Sequence, residues 1–226
     1  MKALLAGIIA ICAALIILGV VLATRDSSGG PRLIPEDPAY AARVKNGGWT
    51  EGDANAPVKL IEYGDFQCPA CYAMYPVIND ALAQVGSKVL FTFREYPLVQ
   101  LHDKAEVAAL AAEAAGKQGK FWQMHDLLYS SQQSWENDTP GTFRTTTLPS
   151  FAAQLQLNVD QFKRDLNDSS LSAPLDTDKA AADAIPLQGT PTLVLNGKTL
   201  DPLPTDKDAL VTLINNAAAG QSSPTP

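Results

Sequence analysis

The sequence predicts an α/β domain with an inserted α-helical lobe, preceded by an N-terminal transmembrane helix. Two apolar strands, at 58–63 and 89–93, flank a helix predicted over about 69–84, which makes a βαβ unit. Helical patterns then follow one another from about residue 100 to residue 185. An apolar run near the N-terminus, at 3–23, completes the observations on which this fold class depends.

The N-terminal apolar run is long enough to span a membrane. At about 1.5 Å per helical residue, residues 3–23 would cross a hydrocarbon core of about 30 Å. A cleavable signal normally has a shorter apolar region, of about 7–15 residues, although Val21-Leu22-Ala23 is an acceptable cleavage site. We therefore expect residues 1–24 to be an uncleaved anchor, with a secretion signal as the alternative.

The rest of the chain divides by composition into a linker, a domain and a tail. Residues 25–48 are rich in Ser, Gly and Pro and are predicted to be a linker. Residues 49–220 are predicted to be the folded domain, with the helical insertion at about 100–185. Residues 221–226 are predicted to be a disordered tail.

Composition and charge limit the classes of function. A hydrophobic content of 46% in 226 residues is enough for one substantial core. The formal net charge is −7, from 17 Lys and Arg against 24 Asp and Glu. Nucleic acid is therefore not expected as a partner, because phosphate binding needs a basic surface.

The motif Cys68-Pro69-Ala70-Cys71 lies between the first predicted strand and its helix. If the helix begins near Cys68, the unpaired backbone N–H groups of its first turn stabilise a thiolate there. Pro69 suits the first helical position, where a missing N–H costs nothing. Cys71 lies on the same helix face and can close a disulfide. The motif predicts redox chemistry in which Cys68, with a pKa below about 8.5, attacks and Cys71 resolves.

The motif has two alternative interpretations, a zinc site and a structural disulfide. A CxxC motif is also half of a zinc site, which His102 and His125 could complete. These histidines lie in predicted helices and lack the tight spacing that is usual in structural zinc sites. A purely structural disulfide is the other alternative, but pairing at i, i+3 closes too small a loop to constrain the unfolded chain. We therefore expect redox chemistry with no metal and no cofactor.

The predicted order of elements is strand, CxxC helix, strand, and a late Thr-Pro before a hairpin that Asn196-Gly197 signals. Three segments accompany this order, namely Glu62-Tyr63-Gly64-Asp65-Phe66-Gln67-Cys68-Pro69-Ala70-Cys71, Gly119-Lys120-Phe121-Trp122 with Leu127, and Gly189-Thr190-Pro191-Thr192. In its order of elements the chain resembles the thioredoxin fold. With its helical insertion and these segments, it resembles the DsbA-like thiol-disulfide oxidoreductases over roughly residues 58–215.

The resemblance implies roles for further residues. Pro191 would be a cis-proline facing the motif, and Thr190 would present its backbone to an extended substrate segment. Glu62 resembles the buried acid behind the active site, where a raised pKa would let it exchange a proton with Cys71. The alternatives are a trans proline that opens an edge strand and a Glu62 paired with a lysine. Ala70 replaces the histidine of the best-known member, so the resemblance does not fix how oxidising the pair is.

These observations predict an extracytoplasmic thiol-disulfide oxidoreductase that donates disulfides. We expect a monomeric, single-pass protein of the cell membrane, because a redox pair that stays oxidised is kept outside the reducing cytoplasm. Its expected clients are unfolded or thiol-containing secreted proteins, which Tyr72, Tyr75 and Phe66 would contact. The resemblance further implies a membrane redox partner that reoxidises it. A reductase or isomerase of the same fold remains open, since the reduction potential decides the direction. A non-catalytic chaperone or binding module is the other alternative.

Overall fold

A computed structural model describes residues 40, 43, 45–185 and 187–220. The strands within these residues are β1 (Trp49–Gly52), β2 (Val58–Gly64), β3 (Val89–Glu95), β4 (Thr192–Leu195) and β5 (Lys198–Thr199). They form one sheet in the order β1-β3-β2-β4-β5. Strands β2 and β3 are parallel, and the other neighbouring pairs are antiparallel. This mixed sheet agrees with the predicted thioredoxin-like α/β fold.

The predicted βαβ unit forms the centre of the sheet. Helix α1 (Pro69–Val85) connects β2 to β3, and its N-terminus lies at the carboxyl end of β2. In the parallel register Leu60 pairs with Phe91 and Glu62 pairs with Phe93, so these side chains share one buried face. An acidic side chain therefore occupies a core position directly behind the start of α1.

The segment between β3 and β4 is helical, as the periodicity predicted. Its helices are α2 (Ala105–Gly116), α3 (Phe121–Ser130), α4 (Gln132–Trp135), α5 (Pro140–Thr142), α6 (Leu148–Gln154), α7 (Val159–Asp165) and α8 (Ala173–Ala182). A π-helical turn separates α5 from α6. After β5, α9 (Lys207–Ala218) packs against α1 on the sheet. Small alanine side chains fill most of α2, which lets this helix approach its neighbours closely.

Two side chains from the predicted linker at 25–48 are part of the packed domain. Tyr40 is 7% exposed, and Arg43 is 2% exposed. The Arg43 guanidinium pairs with Glu113 and Asp178 at 2.7 Å each. Linker composition does not reveal this, because a buried arginine depends on carboxylates that are remote in the sequence. The packed domain therefore takes in these two positions before β1.

Two predicted segments lie outside the described residues, namely the transmembrane helix at 3–23 and the tail at 221–226. No helix formed by the described residues combines the length and the apolar character that crossing a membrane requires.

Candidate active site

The two cysteines lie at the start of α1, where the sequence places them. Cys68 is the N-cap residue, with extended backbone angles of φ −70° and ψ 123°, and Pro69 is the first residue of the helix. Both cysteines are free thiols in the structure. Cys68 is 6% exposed and Cys71 is 0% exposed, so Cys68, although largely buried, is the one of the pair that is open to an external thiol.

The surroundings of Cys68 favour its thiolate. They lower the pKa of Cys68 to about 5, and the largest cause is a hydrogen bond from the Cys71 side chain. Thr190 and the backbone N–H groups of Cys71 and Ala70 also lower this pKa, whereas burial opposes them. The N–H groups are those of the first helical turn, where an anion is expected to be stabilised. Cys68 is therefore the nucleophilic thiolate at neutral pH.

Cys71 has the opposite character. Its pKa lies well above the ordinary thiol value, first because of burial and then because its thiol hydrogen-bonds to Cys68. Negative charge at Glu62 and at Cys68 raises it further. Cys71 therefore keeps its proton while Cys68 is ionised. Cys68 is the nucleophile of the pair, and Cys71 is the buried, protonated thiol.

The loop before β4 brings Thr190 and Pro191 against the cysteines. The Thr190–Pro191 peptide bond is cis, as the resemblance implies. The Sγ of Cys68 lies 3.3 Å from the carbonyl oxygen of Thr190, to which a protonated Cys68 donates a hydrogen bond. The hydroxyl of Thr192 donates to the carbonyl of Gly189 at 2.7 Å and so stabilises this turn. Backbone atoms of this loop therefore lie beside the sulfur that reacts.

Glu62 occupies a buried position on β2 behind the cysteines. It is 2% exposed, and its Oε1 has no hydrogen-bond partner. Burial, with negative charge at Cys68 as the second cause, raises the pKa of Glu62 to about 8. No lysine or arginine among the described residues forms an ion pair with it, which argues against the lysine-paired alternative. A carboxyl in this condition is mostly protonated at neutral pH and can give or take a proton.

Sequence reasoning missed Asp65, which holds the turn between β2 and Cys68. Its carbonyl oxygen accepts a hydrogen bond from the Cys68 N–H at 3.1 Å. Its side chain is buried and accepts from the N–H groups of Gln67 at 2.8 Å and Leu98 at 2.9 Å. The Nδ1 of His102 lies 2.7 Å from the second carboxylate oxygen. An Asp in a turn before a helix is a recognisable local signal, because its side chain bonds nearby N–H groups.

Gln132 of α4 was also missed, and it joins the helical lobe to the active site. Its side chain is buried, and its Nε2 donates to the carbonyl oxygens of Phe66 at 2.8 Å and Cys68 at 3.1 Å. Phe66 and Cys68 lie beyond the end of β2, outside its strand pairing. Without Gln132, their buried carbonyl oxygens would have fewer hydrogen-bond partners. The contact joins residues 64 positions apart, so no local pattern indicates it.

The two histidines have different surroundings. His102 is paired with Asp65, while His125 is 3% exposed and surrounded by aromatic rings, with the Phe93 centroid 4.6 Å away. Burial lowers the pKa of His125, so it is neutral. The part of the chain that the structure describes has no group of three or more His, Cys, Asp or Glu side chains placed to hold a metal ion.

The expected client surface of Tyr72, Tyr75 and Phe66 is wrong for Phe66. Tyr72 and Tyr75 are half-buried, but Phe66 is fully buried. Its ring packs against Phe93 at 5.3 Å and Tyr129 at 4.9 Å between centroids. Phe66 therefore supports the active-site turn from inside the core.

Comparison with protein families and curated proteins gives consistent matches. The thioredoxin family model matches residues 45–216. The Na⁺/H⁺ antiporter NhaA 1 of Salinispora arenicola is 39% identical over 147 residues, which are 65% of this chain and 21% of the antiporter. The chain thus spans about a fifth of the length of these antiporter relatives. The probable disulfide bond formation protein D of Bacillus cereus is 31% identical over 159 residues, covering 67% of this chain and 71% of that protein.

Solved structures show the same architecture. Oxidised BdbD from Bacillus subtilis is 26% identical with a TM-score of 0.64, over 78% of this chain and 95% of BdbD. The α-DsbA1 of Wolbachia pipientis is 22% identical with a TM-score of 0.64, over 76% of this chain and 90% of that protein. The second match supports the fold alone.

Proposed function

This chain belongs to the DsbA-like thiol-disulfide oxidoreductases of the thioredoxin family, and we propose that it donates disulfides to thiol-containing proteins outside the cytoplasm. The observation that carries this proposal is Cys68, an accessible thiolate backed by the protonated, buried Cys71. Because the folded protein favours the Cys68 thiolate, it stabilises the reduced form of the pair. A stabilised reduced form makes the corresponding disulfide a stronger oxidant.

The proposed reaction starts from the Cys68–Cys71 disulfide. A client thiolate attacks the Sγ of Cys68, so a mixed disulfide forms while the Cys68–Cys71 bond breaks and its electron pair stays on Cys71. Cys71 then takes a proton. A second client thiolate attacks the client sulfur of the mixed disulfide, and Cys68 leaves as the thiolate that its low pKa favours. The client is oxidised by two electrons, and the protein is reduced by two.

Three further residues have proposed roles in this reaction. Glu62 exchanges the proton with Cys71, a role supported by its burial and its unpartnered Oε1. Thr190 presents its backbone to an extended client segment, a role supported by the contact of its carbonyl with Cys68. Pro191 keeps this part of the loop facing the cysteine pair.

We also propose that residues 3–23 anchor the protein in the cell membrane, with the domain on the extracytoplasmic side. The length of the apolar run supports an anchor. So do the antiporter relatives, in which a segment similar to this chain is part of a membrane transport protein. The disulfide bond formation protein supports the client class of secreted or membrane proteins that acquire disulfides. A membrane redox partner would reoxidise the pair.

Disulfide transfer tests the proposal. The oxidised full-length protein is incubated without oxygen with a reduced, unfolded client that contains two cysteines, and the free thiols of both proteins are counted with time. The proposal expects the client to lose two thiols for each reduced pair that appears, and expects no transfer from Cys68→Ser. A protein that reduces disulfide-bonded clients, and transfers no disulfide to reduced ones, would be a reductase.

A further inference from the structure

A tyrosine hydroxyl lies in the core beside the active site without a hydrogen-bond partner. Tyr129 of α3 is 0% exposed, and its Oη has no partner among the described residues. Buried hydroxyls are normally paired, because an unmade hydrogen bond costs the desolvation free energy of the group. An unpartnered donor beside a redox pair indicates that its acceptor forms in another state of the protein.

The Tyr129 side chain lies between the α1 face that carries Cys71 and the β2 face that carries Glu62. Its ring stacks on the ring of Tyr75 with centroids 5.3 Å apart, and Tyr75 lies one helical turn after Cys71 on the same face. Its hydroxyl lies 2.9 Å from the position that a Cβ would take on Gly64, which shares a face of β2 with Glu62. The absence of a Cβ at Gly64 makes room for the hydroxyl.

The charges around this hydroxyl keep it a hydrogen-bond donor. Burial is the first cause that raises the pKa of Tyr129 well above its ordinary value, and negative charge at Cys71 and then at Glu62 adds to it. The phenol therefore keeps its proton throughout the physiological range. The other titratable groups packed around the site are Asp65 before α1, Cys68 at its N-cap, Tyr75 of α1, Glu95 of β3 and His125 of α3.

We propose that the Tyr129 hydroxyl donates a hydrogen bond to the Cys71 sulfur while that sulfur carries negative charge. This rests on the proposed function. In disulfide donation the broken Cys68–Cys71 bond leaves its electron pair on Cys71, and Tyr129 stabilises this thiolate until the Glu62 carboxyl delivers a proton. In reoxidation by a disulfide, Cys71 loses its proton to the Glu62 carboxylate and attacks the Cys68 sulfur of the mixed disulfide, whose other sulfur leaves as the thiolate of the oxidant. Tyr129 stabilises the same charge and gives up no proton in either direction.

Tyr129→Phe removes the hydroxyl and keeps the ring. The chain has a third cysteine, Cys12, within the apolar run at 3–23, and Cys12→Ser removes its thiol from the assay. The reduced full-length protein with this substitution is mixed with oxidised glutathione and quenched with acid at set times. Mass spectrometry then separates the Cys68–glutathione mixed disulfide from the internal disulfide. We expect the attack by Cys71 to slow roughly 10- to 100-fold, because a hydrogen bond to a charged group is lost. The midpoint of the pH profile for this attack moves upward by about one to two pH units, while the rate at which the mixed disulfide forms is unchanged.

Tyr63→Phe is the matched control. Tyr63 is also a buried tyrosine, but it lies on the face of β2 opposite to Glu62 and Gly64, so the attack by Cys71 should not change. Equal rates and pH profiles in Tyr129→Phe and the unsubstituted protein would overturn the proposal. A Tyr129→Phe protein that fails to fold, or whose urea midpoint drops, would also overturn it, because the hydroxyl would then serve the fold. Failure of the proposed function looks different, since the oxidised, unsubstituted protein would then transfer no disulfide to a reduced client.

Discussion

Replacing Glu62 by glutamine should stabilise the reduced protein at neutral pH. Burial raises the pKa of Glu62 to about 8 from the ordinary value of 4.5. Between these two pH values the folded state holds a proton that the unfolded state has released. Stability therefore falls as the pH rises through this window, and the carboxyl costs free energy in the folded state. A side chain kept at such a cost fits a role in proton exchange with Cys71.

The size of this loss of unfolding free energy follows from the difference between pH 7 and the ordinary pKa of 4.5, which Glu62 has in the unfolded chain. About 2.5 pH units at about 1.4 kcal/mol per unit give a loss of roughly 3 kcal/mol at pH 7, and almost none at pH 4. Glutamine carries no charge at either pH, so Glu62→Gln lacks this loss. The difference in unfolding free energy between variant and unsubstituted protein should grow by about 3 kcal/mol from pH 4 to pH 7.

Urea unfolding of the reduced proteins, followed by tryptophan fluorescence at several pH values, measures this growth. The change with pH is the useful quantity, because any cost of packing the new amide is the same at every pH. Glu106→Gln, at an exposed position on α2, is the matched control and should show no growth. A difference between Glu62→Gln and the unsubstituted protein that stays constant from pH 4 to pH 7 would refute the reasoning.

Alkylation and two further substitutions test other parts of the structure. Alkylation of Cys68 by iodoacetamide should be half-maximal near pH 5, because the thiolate reacts and the pKa of Cys68 is lowered to about 5; a midpoint near 8.5 would contradict this. Gln132→Leu should lower the unfolding free energy by about 1–3 kcal/mol, since two carbonyls lose a buried donor, whereas exposed Gln133→Leu should not. Arg43→Met should lower it by about 3–5 kcal/mol, since buried Glu113 loses its ion-pair partner and Asp178 keeps only Arg94; an effect no larger than that of exposed Lys45→Met would count against the buried ion pairs.

The parts of the site that the sequence predicts depend on local patterns. The cysteine pair lies where a predicted strand is followed by a predicted helix. Pro69, which lies between the two cysteines, marks the start of that helix. Glu62 stands out because it is the one acidic residue in the strand predicted at 58–63. The cis bond at Thr190–Pro191 is different, since Thr-Pro alone favours a trans bond, and the family resemblance was needed to expect it.

The parts that the sequence does not predict depend on contacts between remote residues. Gln132 and Tyr129 come from the helical lobe, and their helical periodicity says only that they face the core. Arg43 lies 70 positions from Glu113, in a stretch whose composition is that of a linker. Phe66 was misplaced because an aromatic residue beside a motif has the same appearance in sequence whether it faces solvent or the core.

The equilibrium of the Cys68–Cys71 pair with a glutathione buffer measures whether the reduction potential is that of a disulfide donor. A Cys68 pKa of about 5 stabilises the reduced form at pH 7 beyond that of thioredoxin, whose nucleophile has a pKa of about 7. The difference raises the potential by about 50 mV above thioredoxin's value of about −270 mV. The lowered pKa alone thus predicts a potential of about −220 mV, and donation of disulfides predicts a value above about −200 mV. A potential at or below about −270 mV would contradict both predictions and make this protein a reductase.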